Sequence, residues 1–202
     1  PTYNPWEQRL CISPDGDFFK ALRDGKCDVA TGHIKTVTEN SITLENGQKI
    51  DADIIITATG LKITLAGGAT LSVDGKPIDT SEKYLWKYLM LQDVPNLCII
   101  IGYTNASWTL GADASSQLMT RLMNRMKQEG QTCAIPRCKD AEEMKSVPML
   151  NLNSTYIVSA KGSMPKTGDK PQWAPRDNYF RDIYEAKWGD IKTDLELKKV
   201  ST

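Results

Sequence analysis

The chain has 202 residues and a formal net charge of zero, from 25 basic and 25 acidic residues. It carries no basic stripe interleaved with aromatic residues, which argues against nucleic acid as a partner. Its apolar runs are far shorter than the roughly 20 residues of a transmembrane helix, so no membrane span is predicted. The five cysteines and the single histidine show no metal-ligand spacing, which predicts no metal site and fits a reducing cytoplasm.

The first fifty residues predict a short helix followed by a β-meander. Residues 15–24 suit a helix. Short stretches of strand-forming residues then predict strands at residues 28–31, 34–38 and 41–44. Asn46-Gly47 is a strong signal for a two-residue hairpin that returns through residues 48–50. The meander leads directly into a more apolar segment.

Two uninterrupted apolar runs each end in a glycine. Residues 54–57 are all β-branched and continue to Gly60, while residues 97–101 end at Gly102 and precede a polar turn. Because neither run alternates between polar and apolar residues, both are predicted as strands covered on both faces of a parallel sheet. At Gly60 the missing Cβ would allow a positive φ or a close ligand contact. An ordinary core strand ending in a turn is the alternative interpretation.

The C-terminal part of the chain predicts helices separated by irregular segments. Residues 71–78 contain an Asp-Gly hairpin signal. Residues 112–129 carry an apolar stripe at i, i+4 spacing that is typical of an amphipathic helix. Residues 151–176 are rich in Pro, Gly, Ser and Lys and predict an irregular arm rather than a second core. A last amphipathic helix is predicted at residues 178–188, followed by a charged, frayed tail.

Three motifs carry a resemblance to a known enzyme family. Residues 53–60 match the pattern D-x-x-x-x-A-T-G, and residues 94–102 match a pattern of V-P-N, apolar strand and glycine. Both resemble elements of the flavin-containing monooxygenase and Baeyer–Villiger monooxygenase superfamily. Gly-Tyr-Thr-Asn-Ala-Ser-Trp-Thr-Leu at residues 102–110, with Trp-Glu-Gln-Arg-Leu-Cys at residues 6–11, is similar to the branch that contains the ethionamide-activating Baeyer–Villiger monooxygenase. The resemblance runs from residue 1 to about residue 182.

The resemblance implies an α/β fold: the C-terminal portion of a flavoprotein with two Rossmann-like dinucleotide-binding domains, for FAD and NAD(P), and a β-meander. Residues 1–60 would complete the NADPH domain, residues 61–130 would complete the FAD domain, and residues 131–202 would form a peripheral arm. The chain contains neither Gly-x-Gly-x-x-Gly turn of the family, nor its F-x-G-x-x-x-H fingerprint. The expected partner is therefore the N-terminal half of the flavoprotein, on the same chain or on a separate one.

By the same resemblance, the turn after Gly102 would lie beside the isoalloxazine ring of FAD, where Gly102 would allow close backbone approach. Hydrogen-bond donors near the ring would come from Asn105, Ala106, Ser107 and Thr109. The helix that follows would point its partial positive charge at the reduced flavin, which is anionic at its pyrimidine edge. Trp108 would either cover the ring or pack beneath the helix. Residues that merely cap and shape the helix start are the alternative interpretation.

Two further groups are assigned by resemblance. Ala58, Thr59 and Gly60 would form the crossing between the NADPH and FAD domains, near the nicotinamide. Arg9 would lie near NADPH, but related enzymes often have a Lys-Arg pair where this chain has Gln8-Arg9, which leaves a contact with the 2′-phosphate open. No residue is predicted as catalytic, because the arginine that stabilises the peroxide in Baeyer–Villiger enzymes belongs to a part of the family fold that is missing here.

The implied activity is that of an FAD- and NADPH-dependent monooxygenase, which transfers one oxygen atom from a peroxyflavin to a small organic ketone, or to sulfur or nitrogen. Two alternatives stay open. A flavoprotein disulfide reductase shares the Ala-Thr-Gly strand, but such enzymes usually carry a Gly-Asp pair where this chain has Gly102-Tyr103. A truncated, inactive module that pairs with another chain would expose the apolar runs left without neighbours.

Overall fold

A computed structural model describes residue 4 and residues 11–103, 106–150 and 154–200. The chain divides into two units, Pro1–Leu61 and Lys62–Thr202, and each is described by itself. Both units combine helices with small antiparallel sheets, which makes the architecture mixed α/β. The two Rossmann-like domains of the sequence analysis stay a prediction.

The first unit contains one helix and a three-stranded meander. A 3₁₀ turn at Pro14–Gly16 leads into helix α1, Asp17–Arg23. The antiparallel meander consists, in spatial order, of β1 (Ile34–Val37), β2 (Ser41–Leu44) and β3 (Lys49–Asp51). Gly47 takes a φ of +87° in the turn between β2 and β3, as an Asn-Gly hairpin requires. The predicted helix is confirmed, and so is the hairpin, although its loop has the three residues 45–47 rather than the predicted two. The strand predicted at residues 28–31 is wrong, because that segment forms no ladder within the described residues.

Residues 54–57 do not form a buried strand, so that prediction is wrong for this chain. Ile54 is 80% exposed and Ile56 is 85% exposed, and the segment up to Gly60 has no regular structure. A strand of a parallel sheet needs neighbouring strands at its edges and helices on its faces. Among the described residues, the first unit offers only α1 and the meander, so Ile54 and Ile56 stay exposed.

The second unit contains one long helix, two shorter helices and four two-stranded sheets within the described residues. Its strands are β4 (Ser72–Val73), β5 (Lys76–Pro77), β6 (Leu85–Trp86), β7 (Met90–Leu91), β8 (Cys133–Pro136), β9 (Ser146–Val147), β10 (Thr167–Gly168) and β11 (Leu195–Lys198). Its helices are α2 (Trp108–Gln128), α3 (Thr155–Ala160) and α4 (Tyr179–Trp188), with 3₁₀ turns at Leu65–Gly68, Thr80–Glu82 and Lys161–Ser163. The antiparallel pairs are β4–β5, β6–β7, β8–β11 and β9–β10.

The β6–β7 hairpin divides the core of the second unit into two clusters, because side chains alternate between the two faces of a strand. Leu85 lies opposite Leu91, and both pack into one cluster. Trp86 lies opposite Met90, and both pack into the other cluster. The second of these clusters also contains Trp173, whose side chain is fully buried. Residues from both 61–130 and 131–202 therefore build this core, while their assignment to an FAD domain and a peripheral arm stays a prediction.

Charged side chains join the elements of the second unit. Arg121 of α2 donates hydrogen bonds to three carbonyls at the C-terminal end of α4, those of Glu185, Ala186 and Gly189. Asp93 accepts hydrogen bonds from Lys83 at 3.1 Å and from Arg137 at 2.9 Å. Cations suit the C-terminal end of a helix because the last carbonyls lack partners there, so Arg121 fastens α4 to α2.

Three predictions for the second unit need correction or extension. Residues 97–101 are not a fully buried strand, since Cys98 forms only an isolated bridge with Met90 and Ile100 is 43% exposed. The long helix begins at Trp108, earlier than the predicted residue 112. The tail is not frayed, because Leu195–Lys198 pairs with Cys133–Pro136. The hairpin within residues 71–78 and the last helix are confirmed, and Asn178 caps that helix by accepting the Arg181 N–H.

Candidate functional site

Two glycines in close contact build the turn that precedes α2. Gly102 ends the second apolar run, and Gly111 lies in the first part of α2. A Cβ added to Gly111 would lie 2.8 Å from the Gly102 Cα, closer than folded proteins allow. A Cβ added to Gly102 would overlap the ring of Trp108. Both positions therefore need glycine for the chain to pass closely over the helix start.

The N-terminus of α2 is open to solvent. Ser107 is the N-cap residue, but its side chain makes no capping hydrogen bond with any described residue. Ala106, Ser107 and Thr109 are exposed, and Trp108 is 51% exposed. The first turn of α2, all of which is described, holds no acidic side chain. The unpaired N–H groups and the partial positive charge of the helix start are therefore available to an anionic group.

A buried hydrogen bond connects this turn to α4. The Tyr103 hydroxyl donates to Asp182 Oδ2 across 2.7 Å, and the two side chains are only 2% and 6% exposed. Arg181 Nε lies 3.5 Å from the other Asp182 oxygen. Burying a carboxylate is costly unless it is hydrogen-bonded or paired with a cation, and Asp182 has both. The residue that follows Gly102 is thus fixed from α4.

Arg176 reaches the same region from a second direction. Its guanidinium donates to Ser115 Oγ at 2.5 Å and, more weakly, to the Gly111 carbonyl at 3.4 Å. It also donates to the Lys87 carbonyl at 3.0 Å. Burial lowers the pKa of Arg176, although the charge of Asp182 opposes that shift, and an arginine stays protonated at neutral pH. Arg176 and Asp182 therefore hold the two sides of the glycine contact.

The Tyr103–Asp182 pair is not apparent from the sequence. Its two members are separated by 79 residues, and the only local signal is the position of Tyr103 next to Gly102. Burial, together with the hydrogen bond to Asp182, raises the pKa of Tyr103 well above its usual value. The hydroxyl therefore keeps its proton and acts as the donor across the physiological pH range.

The other predicted site residues lie in the first unit or outside the described residues. Ala58, Thr59 and Gly60 are exposed and have no regular structure. Gly60 adopts a φ of +96°, which glycine alone tolerates easily, and the space around its missing Cβ is open. Arg9 and Asn105 lie outside the described residues. The group that the structure brings together is therefore the one at the start of α2.

A cavity of about 320 Å³ lies beside the buried hydrogen bonds. Its charged lining consists of Lys87, Arg176, Arg181, Asp182 and Glu185. Lys87 Nζ lies 2.9 Å from Glu185 Oε2, so those two charges neutralise each other. The cavity therefore adjoins the groups that hold the turn, on the side of α4.

Other kinds of site find little support in the described part of the chain. No group of three or more His, Cys, Asp or Glu side chains there could hold a metal ion. The cysteines at residues 11, 27, 98, 133 and 138 are all free thiols. No helix within the described ranges is both long and apolar enough to cross a membrane.

The start of α2 suits one part of FAD. A flavin ring is planar and its reduced form is anionic at one edge, which matches an uncovered helix N-terminus next to a backbone without a Cβ. The pyrophosphate of FAD needs a glycine-rich turn between a strand and a helix, and the sequence contains no such turn. The residues of this chain thus fit the ring and not the pyrophosphate.

Comparison with known proteins finds similar monooxygenases. The chain is 46% identical over 182 residues to the probable FAD-binding monooxygenase AlmA of Acinetobacter baylyi, covering 90% of this chain and 36% of that protein. It is 44% identical over 191 residues to the FAD-containing monooxygenase EthA of Mycolicibacterium smegmatis, covering 95% of this chain and 39% of that protein. It is 41% identical over 192 residues to EthA of Mycobacterium tuberculosis, with the same two coverages. No family model and no solved structure matches.

The chain spans little more than a third of the length of these relatives. Within that span the identity is high and extends over nine-tenths or more of the chain. The relatives are named as FAD-binding or FAD-containing monooxygenases, so the predicted resemblance is confirmed. Over nine-tenths or more of its length, the chain is similar to the FAD-containing monooxygenases represented by EthA and AlmA.

Proposed function

We propose that this chain is the C-terminal portion of an FAD- and NADPH-dependent monooxygenase and that the start of its helix α2 borders the isoalloxazine ring. The observation that carries this proposal is the uncovered start of α2, where Gly102 and Gly111 bring the backbone into close contact. The similarity to FAD-containing monooxygenases favours a flavin over other anionic ligands. The coverage of little more than a third of the relatives supports the view that the pyrophosphate-binding turns lie on another segment.

Each residue of the turn has a physical role in this proposal. Gly102 allows the backbone to approach the ring because no Cβ intervenes. The N–H groups at the start of α2 and the hydroxyls of Ser107 and Thr109 donate towards the negatively charged ring edge. Trp108, which is half-exposed beside Gly102, excludes water from that side. The bound flavin supplies the redox and oxygen chemistry, which no amino-acid side chain can supply.

The remaining assignments follow from the same proposal. Ala58, Thr59 and Gly60 would lie near the nicotinamide of NADPH at the crossing between the two domains, and Arg9 would lie near NADPH. The substrate is a small organic molecule that accepts one oxygen atom, either a ketone in a Baeyer–Villiger reaction or a sulfur or nitrogen centre. The free thiols of the described residues favour a reducing compartment such as the cytoplasm.

An FAD titration followed by flavin fluorescence tests the proposal. The purified chain is titrated alone and then together with the nucleotide-binding remainder of the Mycolicibacterium smegmatis relative. We expect binding only in the mixture, together with NADPH-dependent oxygen uptake. Failure of the mixture to bind FAD, although the two polypeptides associate, would contradict the proposal.

A second candidate function is that of an inactive module that pairs with another chain. The observation that favours it is the exposure of Ile54 and Ile56, because apolar side chains in a row attract a partner surface. Sedimentation of the same mixture distinguishes the two functions. A stable complex that binds neither FAD nor NADPH would favour the module, and a complex that binds both would exclude it.

A further inference from the structure

The segment from residue 176 to residue 182 makes two separate polar contacts with the glycine turn. Asp182 accepts the hydrogen bond of Tyr103, the residue after Gly102. Arg176 donates to Ser115 and to the Gly111 carbonyl on the other side of the turn. The two contacts are made with the two chain segments that the glycines bring together, so residues 176–182 touch both sides of the glycine contact.

Local helix chemistry does not explain why residue 182 is acidic and buried. An acidic residue in the first turn of a helix is favoured by the helix dipole, but it can act from an exposed position. The N-cap position of α4 is already occupied by Asn178, which accepts the Arg181 N–H at 3.1 Å. A buried polar pair is also no better for stability than well-packed apolar side chains of the same volume. The hydrogen bond does, however, fix the direction and the distance between Tyr103 and α4.

Tyr88 is an ordinary buried tyrosine in the same unit, and it differs from Tyr103 in the acceptor of its hydrogen bond. Its side chain is 2% exposed, and its hydroxyl donates to the Met149 carbonyl at 2.9 Å. A backbone carbonyl is thus sufficient to satisfy a buried tyrosine in this unit. Tyr103 instead uses a carboxylate from a distant helix, which gives a stronger, charge-assisted hydrogen bond.

We propose that Tyr103 and Asp182 are positioning residues, whose hydrogen bond holds the Gly102 turn against the start of α2 in the conformation that accepts the flavin ring. The acceptance of a flavin ring by this turn rests on the proposed function, whereas the effect of the hydrogen bond on the turn does not. Neither residue contacts the reacting atoms in this proposal. They act through the close contact between Gly102 and Gly111.

Amide hydrogen exchange on the chain alone tests the positioning without any flavin. The informative variants are Tyr103→Phe, which removes one hydroxyl, and Asp182→Asn, which still offers an oxygen to Tyr103. The matched control is Tyr88→Phe, which removes the same hydroxyl from an equally buried tyrosine. We expect Tyr103→Phe to accelerate exchange at residues 106–111 by about tenfold, the effect of losing one hydrogen bond to a charged group. Asp182→Asn should accelerate exchange there less than Tyr103→Phe does, because a neutral amide oxygen still accepts the hydrogen bond but without the charge. Tyr88→Phe should leave exchange there within about twofold of the wild type.

FAD affinity in the mixture with the nucleotide-binding remainder gives the second measurement. We expect the dissociation constant to rise by about tenfold for Tyr103→Phe, to rise by less for Asp182→Asn, and to change little for Tyr88→Phe. Equal exchange at residues 106–111 in Tyr103→Phe and Tyr88→Phe, or equal FAD affinity, would overturn the proposal. If the wild-type mixture binds no FAD, the proposed function fails and the exchange result alone decides on the positioning. If Tyr103→Phe does not fold, Asp182→Ala compared with Asp182→Asn replaces it in both measurements.

Discussion

Trp173 offers the most direct test of whether the C-terminal third of the chain belongs to the core. Its side chain is fully buried, and its Nε1 donates to Asp194 Oδ2 at 2.8 Å. Its ring meets that of Tyr84 edge to face, with centroids 6.4 Å apart. Replacement of Trp173 by alanine removes the ring, the aromatic contact and the hydrogen bond together.

The expected loss of stability follows from these contacts. Truncating a fully buried tryptophan to alanine costs about 3–5 kcal/mol, including the cavity that is left. The unpaired Asp194 carboxylate adds about 1 kcal/mol or more, depending on how far water can reach it. A total of about 5 kcal/mol approaches the whole stability of many domains. We therefore expect Trp173→Ala to unfold the second unit at low denaturant, whereas Trp173→Phe loses only about 1–3 kcal/mol.

Urea unfolding followed by circular dichroism measures this difference. The matched control is Trp188→Ala, because Trp188 is 66% exposed and contacts only neighbouring side chains of its own helix, Tyr184 and Lys187, among the ring interactions of the described residues. That control should cost about 1 kcal/mol or less. Equal losses for Trp173→Ala and Trp188→Ala would refute the view that residues 131–202 complete the core.

Three further predictions concern the glycine contact, the pH dependence of stability and the attachment of α4. Gly111→Ala should cost about 1–3 kcal/mol in urea unfolding and weaken FAD binding, whereas Gly162→Ala, with open space around its Cβ, should change stability by less than about 1 kcal/mol. Burial alone would raise the pKa of Asp93, but the two cationic partners Lys83 and Arg137 outweigh burial, so the pKa lies below its usual value. The free energy of unfolding should therefore fall as the pH drops from about 4 through that lowered pKa. Asp93→Asn should flatten this part of the pH profile. Arg121→Met should cost about 1.5–3 kcal/mol through the lost carbonyl contacts, against less than about 1 kcal/mol for Lys170→Met, which loses only an exposed ion pair.

The elements that the sequence predicts correctly are those with local causes. The turn at Asn46-Gly47 needs a residue that tolerates a positive φ, which Gly47 supplies, and both the signal and the turn lie within a few residues of each other. Asn178 caps α4 through a bond to Arg181, three residues on. The stripe of α2 repeats within one helix. Each of these depends on neighbours along the chain, which a single sequence displays.

The elements that the sequence misses depend on distant partners. Leu195–Lys198 alternates between apolar and charged residues, but its status as a strand depends on Cys133–Pro136. The buried status of Trp173 and the Tyr103–Asp182 bond likewise join residues far apart in the chain. The error at residues 54–57 arises because a local preference lacks a distant partner. The β-branched run favours a strand, but the described residues provide no neighbouring strand or helix for it to pack against.

The start of α2 and the run at residues 54–57 are both exposed, but the free-energy cost of their exposure differs. This difference predicts which of the two is already structured before a partner binds. The uncovered start of α2 exposes N–H groups that water satisfies, so the turn at Gly102 costs little when it stands open, and Tyr103 and Asp182 hold it in place. Exposed isoleucines at residues 54 and 56 cost hydrophobic free energy until a surface covers them. We therefore expect the proposed ring-binding turn to be preorganised, and the run at residues 54–57 to acquire strand structure only with a partner. This sequence of events predicts that added partner polypeptide slows amide exchange strongly at residues 54–57 and only slightly at residues 106–111; equal slowing at both would contradict a preorganised turn.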